Sequence, residues 1–397
     1  MPKVTCLDLF AGCGGLSLGL EMAGITSEWA NEIDKDASQS FKENFPRTNV
    51  SQEDITQFLR KVESGEKCYP KKGEVDLISG GPPCQGFCQI NRHRHFDDPR
   101  NSLVEKYVKT VEMLRPKAII VENVTGILTL ENGKAVSNLL ANLDELNYNT
   151  RLMILQAGTF GIPQNRWRVF IIGVSKKYSI PSFPEPISIF HKTSFIGMGK
   201  WRAHIVQCSS QDLFSQNIIK PITVRDAIGD LDVPLAKGVI DNIQYGKNAS
   251  SEYQLLLRDR MTNFVSNHVS AGIEDITLQR IKHIPPGGGW LDLPNELRPK
   301  NLENFKNSKG TFSSRYGRLS WDGTFAAIVT KPEPYWGRYI HPSKDRLISV
   351  RECARAQSFP DKFVFLGSIS SRYRQVGNAV PPFLAKHIAT QILKVIQ

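Results

Sequence analysis

Short apolar runs alternate with amphipathic stretches from the N-terminus to about residue 178. The runs Val4–Phe10, Thr26–Asn31, Val75–Ser79, Ala118–Val121, Arg151–Leu155 and Val169–Val174 have the length and β-branched content of strands. Between several of them lie helical patterns at Leu16–Met22, Ala37–Asn44, Leu103–Leu114 and Val136–Leu146. Alternating β and α units predict a parallel, doubly wound sheet with helices on both faces. Gly80-Gly81-Pro82-Pro83 stops one strand abruptly, since proline cannot continue a ladder.

The texture changes between Tyr178 and Gly310, where polar runs, scattered aromatics and Pro285-Pro286-Gly287-Gly288-Gly289 replace clear periodicity. This predicts a second domain or large insertion of irregular structure. Ile348–Phe359 regains a helical pattern, and Phe383–Ile396 reads as an amphipathic helix with Pro381-Pro382 near its start.

At 397 residues the chain suits two domains, or one large domain with an insertion. No apolar run reaches the ~18–20 residues that span a bilayer, and Asp8 interrupts the first run, which has no signal-peptide pattern. Seven irregularly spaced cysteines predict reduced thiols. Cys84 and Cys88 lack a second pair to complete a zinc set, so no metal is expected. The formal charge of +11 is uneven: Thr311–Gln397 holds 13 Lys and Arg against 5 Asp and Glu. Such an excess fits a polyanion partner, or a plainly solvated surface.

Ligands of open parallel sheets bind beyond the carboxyl ends of the strands. Those ends carry Phe10-Ala11-Gly12-Cys13-Gly14-Gly15, then Glu32, Pro82-Pro83-Cys84-Gln85 and Glu122-Asn123-Val124, with Asp54-Ile55 after a shorter segment. The glycine turn fits close approach of a ligand at a helix N-terminus, or simply a tight βα turn. It lacks the dinucleotide-binding glycine spacing. Glu32 stands where an acid reaches ribose hydroxyls, or beside a helix cap. Cys84, on a proline-stiffened loop, is a candidate nucleophile or a small buried hydrophobe. Glu122 ends an apolar strand, where a carboxyl can be kept as an acid.

In this order the segments resemble the motifs of the cytosine-5 DNA methyltransferases. Phe10–Gly15 resembles the S-adenosylmethionine (AdoMet) motif, and Gly81-Pro82-Pro83-Cys84-Gln85-Gly86-Phe87 resembles the nucleophile loop. Glu122-Asn123-Val124 resembles the acid motif. Gln164-Asn165-Arg166-Trp167-Arg168 resembles the motif whose arginines hold the target cytosine and the active-site loop. Gly377-Asn378-Ala379-Val380-Pro381-Pro382 resembles the terminal motif. Asn267-His268, Asp292-Leu293-Pro294, Tyr316–Gly323 and Val350–Arg355 are similar to the catalytic region of maintenance-type enzymes. Cys88 departs from the family's usual serine, and no regulatory region is expected before Val4.

The resemblance implies an α/β fold: a doubly wound, mostly parallel sheet of the AdoMet-dependent methyltransferase type with a second, irregular target-recognition domain. It implies a catalytic domain over 1–178, target recognition over 179–359, and a segment 360–397 returning to the catalytic domain. Cys84, Glu122, Arg166 and Arg168 would be catalytic, on a loop with Pro82, Pro83, Gln85 and Gly86. Phe10, Gly12, Gly14, Gly15, Glu32, Asp54, Ile55, Asn378 and Val380 would bind AdoMet. Arg315, Arg318 and Lys331 are candidate DNA contacts. Double-stranded DNA is the implied partner, with a monomeric enzyme, no membrane, and a separately acting restriction endonuclease as the companion of a modification role. The expected location is cytoplasmic at the nucleoid in a bacterium, or nuclear in a eukaryote. A tRNA cytosine-5 methyltransferase and a catalytically silent DNA-binding scaffold are the alternatives.

Overall fold

Leu7, Leu9, Leu77, Ile78 and the run Ala118–Ile120 have no exposed surface, so the strands that carry them are covered on both faces. That is the environment in which continuous apolar runs become a parallel sheet. The computed structural model describes residues 3–83, 102–190, 199–208, 218–236, 242–258, 261–305 and 314–397. Its first strands are β1 (Val4–Leu9), β2 (Ile25–Asn31), β3 (Asn49–Ser51), β4 (Leu77–Gly80), β5 (Ala118–Asn123), β6 (Tyr148–Gln156), β7 (Gln164–Asn165), β8 (Trp167–Ser175) and β9 (Ile205–Val206). The main sheet runs β3-β2-β1-β4-β5-β8-β6-β9. From β3 to β5 the neighbours are parallel, whereas β8 lies antiparallel to both β5 and β6. The fold is thus α/β with a mostly parallel sheet, as expected.

Helices α1 (Gly15–Ala23), α2 (Lys35–Asn44), α4 (Ser102–Leu114) and α5 (Lys134–Glu145) follow the expected patterns within two residues, and α3 (Ile55–Glu63) lies between α2 and α4. The last was not anticipated. Its buried residues Ile55, Phe58, Leu59 and Val62 have helical spacing, and Asp54 caps its start by accepting from Thr56 N at 2.7 Å.

The chain forms two compact units, described separately: 1–161, 167–220 and 380–397 make one, and 162–166 with 221–379 make the other. The divisions fall at 220 and 379, where 178 and 359 were expected. Ser188 pairs with Ile219, and β9 joins β6, which ties the polar stretch after 178 to the first unit. The second unit contains α6 (Val224–Ile228), α7 (Glu252–Leu257), α8 (Asp275–Lys282), α9 (Val350–Ala356) and α10 (Ile369–Asn378), with strands of two or three residues. The final helix, α11 (Pro382–Ile396), belongs to the first unit and packs on α1. A Cβ placed on Gly19 would lie 2.3 Å from the Pro382 carbonyl oxygen, so glycine is what permits this approach.

An irregular chain leaves buried carbonyls without ladder partners. In the second unit arginines supply the donors. Arg351, fully buried, donates to the carbonyls of Ser266, Pro360 and Phe363 at 2.9, 3.0 and 2.6 Å. Arg355 binds both Asp361 oxygens at 2.9 and 2.6 Å and Asp230 at 2.5 Å. Glu352 is held by two Arg346 contacts of 2.8 Å and caps α9 through Ser349 N. Part of the C-terminal basic excess is therefore internal rather than surface charge.

Candidate active site

The turn after β1 needs unusual backbone. Phe10, Gly12 and Gly14 have φ of 56°, 56° and 97°, in the left-handed region. A side chain on Gly14 would meet the Phe45 ring at 2.5 Å, whereas a Cβ on Gly12 meets nothing within 4 Å. Gly12 therefore has an open side, and Gly14 and Gly15 lead directly into α1. Glu32, immediately after β2, reaches back to this turn. Its Oε2 accepts from Gly12 N and its Oε1 from Asp34 N, each at 2.7 Å. Burial raises its carboxyl above the ordinary value, opposed by these backbone hydrogen bonds. The structure therefore brings Glu32 to the glycine turn. Phe10 is half-buried against the sheet core. Ile55 lies in that core and Asp54 is engaged as the α3 cap, so neither side chain reaches the turn in any contact described.

Beneath the turn lies a residue that sequence reading passed over. Asp8 is a buried charge inside a strand, and that anomaly was its signal. Its Oδ2 accepts from Ser17 Oγ at 2.6 Å and its Oδ1 from Ser79 Oγ at 2.8 Å. These bonds tie β1 to the first turn of α1 and to β4, just before the glycine-proline stop. Burial pushes the Asp8 carboxyl up to about 6, opposed by the two hydroxyls.

The end of β4 is packed closely against its neighbours. A Cβ on Gly80 would sit 2.8 Å from the Leu9 carbonyl oxygen, and one on Gly81 would sit 3.2 Å from Glu122 Oε2. Asn123 Nδ2 donates to the Pro82 carbonyl at 3.2 Å, fixing the start of the proline loop to β5. Pro83 is half-buried at the limit of this described segment. Cys84, Gln85 and Gly86 lie outside the described residues.

Glu122 sits within β5 rather than after it. Arg168 Nε forms an ion pair with its Oε1 at 2.8 Å, and both side chains are nearly buried. The pairing follows from the sheet: antiparallel register sets Glu122 opposite Phe170 and Asn123 opposite Val169, which carries Arg168 to the same end. Strands running in parallel would place β8's first residues at the other edge.

Arg166 corrects an expectation. Only 1% of it is exposed, and it donates to the carbonyls of Ile328, Gly377 and Ala379 at 2.8, 2.8 and 3.1 Å. A guanidinium so engaged holds the terminal motif rather than a base. Gln164 assists by donating to the Ala356 carbonyl and accepting from Ile328 N. A Cβ on Gly377 would clash with the Val329 backbone at 2.4 Å. Asn378 ends α10 and is exposed, while Val380 is buried in the first unit.

Arg318 is a second correction. It is buried and donates to the carbonyls of Ile281, Ile284, His341 and Lys344 and to Asp345, so its donors serve the fold rather than DNA. Arg315 lies over the Tyr335 ring at 4.3 Å and half-exposed, and Lys331 is exposed beside Glu333 at 2.6 Å.

The family model of the C-5 cytosine-specific DNA methylases matches residues 4–394. The chain belongs to this family. It is 36% identical over 432 residues to DNA (cytosine-5)-methyltransferase 4 of Arabidopsis thaliana, and 33% over 462 residues to DNA (cytosine-5)-methyltransferase 1 of Mus musculus. Those matches cover 97% and 99% of this chain but 28% of each relative, so the chain spans little over a quarter of their length. Among solved structures, a candidate DNA modification methyltransferase encoded within a prophage (E. coli) matches over 99% of both chains, with a TM-score of 0.70 and 27% identity. The Dnmt2 methyltransferase of S. pombe shares the fold at a TM-score of 0.55 and 16% identity. No helix among the described residues is long and apolar enough to cross a membrane.

The Asp8 geometry predicts a pH-dependent effect. A carboxyl with a folded pKa near 6, above its unfolded value of 3.8, opposes folding when ionised. That penalty is absent below pH 3.8, grows between 3.8 and 6, and is full above 6. Asp8→Asn is therefore expected to gain stability, relative to the parent, as pH rises through this window. The pH-dependent part amounts to about 3 kcal/mol. Urea titrations at pH 4.5 and 8 check this; an equal effect at both contradicts it.

Proposed function

We propose that this chain transfers a methyl group from AdoMet to C5 of a flipped-out cytosine in a specific double-stranded DNA sequence. The observation that carries the reading is the nearly buried Glu122–Arg168 pair at the strand ends, in the unit that also holds Gly12 and Glu32. Membership of the C-5 cytosine-specific DNA methylase family supports the choice of base and position.

The cofactor fits the turn on physical grounds. The left-handed Gly12 leaves open space where a side chain would stand, and the Glu32 carboxylate sits beside it as an acceptor for ribose hydroxyls. Phe10 would offer an aromatic face to adenine or to the cationic sulfonium. AdoMet, when bound, supplies an electrophilic methyl group on its sulfonium. The expected contributions of Asp54, Ile55, Asn378 and Val380 belong to this proposal, with the Ile55 side chain confined to the core.

Cytosine C5 is a weak nucleophile until C6 is attacked. The Cys84 thiolate would form a bond to C6, splitting one hard step into easier ones. Arg168 holds the Glu122 carboxyl in place at the strand end, and that carboxyl would share a proton with N3. The electron pair displaced from the ring double bond then resides at C5, which would take the methyl group as the methyl–sulfur bond breaks and its electron pair stays on sulfur, leaving a neutral thioether. Loss of the C5 proton to a base returns that electron pair and expels Cys84 as thiolate. Arg166 enters only as a positioning residue. Flipping the base from the duplex costs a few kcal/mol. The likeness to a prophage-encoded DNA modification methyltransferase supports a modification role; action as a monomer beside a separate restriction endonuclease is part of the same proposal.

Incubating the protein and AdoMet with one unmodified plasmid, then mapping 5-methylcytosine by bisulfite sequencing, tests the reading. Methylation at one short motif, abolished in Cys84→Ser, is expected. Methylation of tRNA alone would move the activity to the RNA alternative, and a purely binding protein would methylate neither. The cofactor assignment predicts that Glu32→Ala weakens AdoMet affinity about tenfold or more by losing one charge-assisted contact. DNA affinity should stay unchanged in the same titrations; equal loss of both would mark a folding defect.

A further inference from the structure

The second unit carries a half-open groove of about 390 Å³ that no step of methyl transfer uses. Its walls include Arg225, Asp232, Lys247, Trp321, His341 and Lys344. Asp232 organises it. One carboxylate oxygen takes Lys247 Nζ at 2.8 Å and the other takes Lys344 Nζ at 3.0 Å. The lysines come from distant parts of the chain, so this carboxylate is what draws two ammonium groups together. They in turn lower its carboxyl to about 2, which keeps the bridge ionised throughout the neutral range.

The third cation is also held in place. The Arg225 guanidinium lies 5.4 Å over the Trp321 ring and 3.3 Å from Asp322. The indole N–H donates to Ser343 Oγ at 2.7 Å, and the His341 ring packs edge-on to the indole at 5.5 Å. His341 Nδ1 accepts from the backbone N–H groups of Ser343 and Lys344, which fixes the loop bearing the second lysine. Burial lowers this imidazole to about 4, so it adds no charge at neutral pH.

Three cations thus face two carboxylates, Asp232 and Asp322, and retain about half of their side-chain surface, at 55%, 56% and 51% for Arg225, Lys247 and Lys344. Each ammonium has three donors, of which Asp232 takes one. A preformed group of donors with net positive charge suits an oxyanion. Base edges present mixed donors and acceptors, whereas a phosphate presents acceptors only.

We propose that this groove seats a backbone phosphate of duplex DNA, gripped by Lys247, Lys344 and Arg225. The assignment rests on the reading of the chain as a DNA methyltransferase. It adds a sequence-independent anchor to that reading, distinct from the groups at the cytosine.

The test measures DNA affinity between roughly 50 and 200 mM salt for the full chain and for Lys247→Gln/Lys344→Gln. Losing one phosphate contact is expected to reduce the slope of log Kd against log salt by about one, with weaker binding to every sequence. The rate at saturating DNA should not change. Lys247→Arg/Lys344→Arg should keep the parental slope, which a folding defect would not. Lys109→Gln/Lys176→Gln, an equal charge change on the first unit, should leave the slope unaltered. An unchanged slope in the groove variant, or an equal fall in the control, overturns the assignment. If the parent protein shows no salt-dependent DNA binding, the DNA reading itself fails and the groove assignment falls with it.

Discussion

The antiparallel seam between β5 and β8 is the constraint on which the site depends. Up to β5 the sheet is parallel and delivers the glycine turn, Glu32 and the proline loop to one edge. The strand that follows β6 must run the opposite way to bring its own first residues to that edge. It does so, and Arg168 meets Glu122 at 2.8 Å. Beneath the same edge, Asp8 binds Ser17 and Ser79, so the glycine turn and the approach to the proline loop share one buried anchor. The candidate site positions are thereby set by an ion pair between strands and by hydrogen bonds from β1 to β4 and α1.

A second theme is the use of arginine in place of regular structure. Arg351, Arg355 and Arg318 each collect carbonyls or carboxylates that no strand serves. Arg166 does the same for Ile328, Gly377 and Ala379. Its neighbour Arg168 differs by two positions in sequence and takes a wholly different part, pairing with the strand-end acid. Within one five-residue motif, one arginine binds backbone carbonyls and the other pairs with a carboxylate.

Much of this was legible in the sequence. The strands were, because a sheet covered on both faces requires unbroken apolar runs such as Ala118–Val121. The strand-end residues were, because the topology of such sheets dictates where ligands lie. Helix α3 was legible in principle, since Ile55, Phe58, Leu59 and Val62 have the spacing, but the short β3 before it gave no clear strand signal. The direction of β8 was not, since apolar pattern carries no polarity. The limits of the second unit escaped because composition changes at 178 while the chain continues to pair with the first unit up to Ile219. Arg166 and Arg318 escaped because a charged residue type gives no hint of buried carbonyls around it.

The central claim is that Cys84 attacks C6 of cytosine while Glu122, held by Arg168, supports N3. The most direct measurement uses duplex DNA in which the target cytosine carries fluorine at C5. After methyl transfer, no proton remains at C5 to be removed, so the bond from Cys84 cannot be released. The account predicts a covalent protein–DNA complex that survives denaturation, requires AdoMet, and maps to the peptide containing Cys84. A protein that methylates ordinary DNA yet forms no such complex, or one that maps to another cysteine, would contradict it.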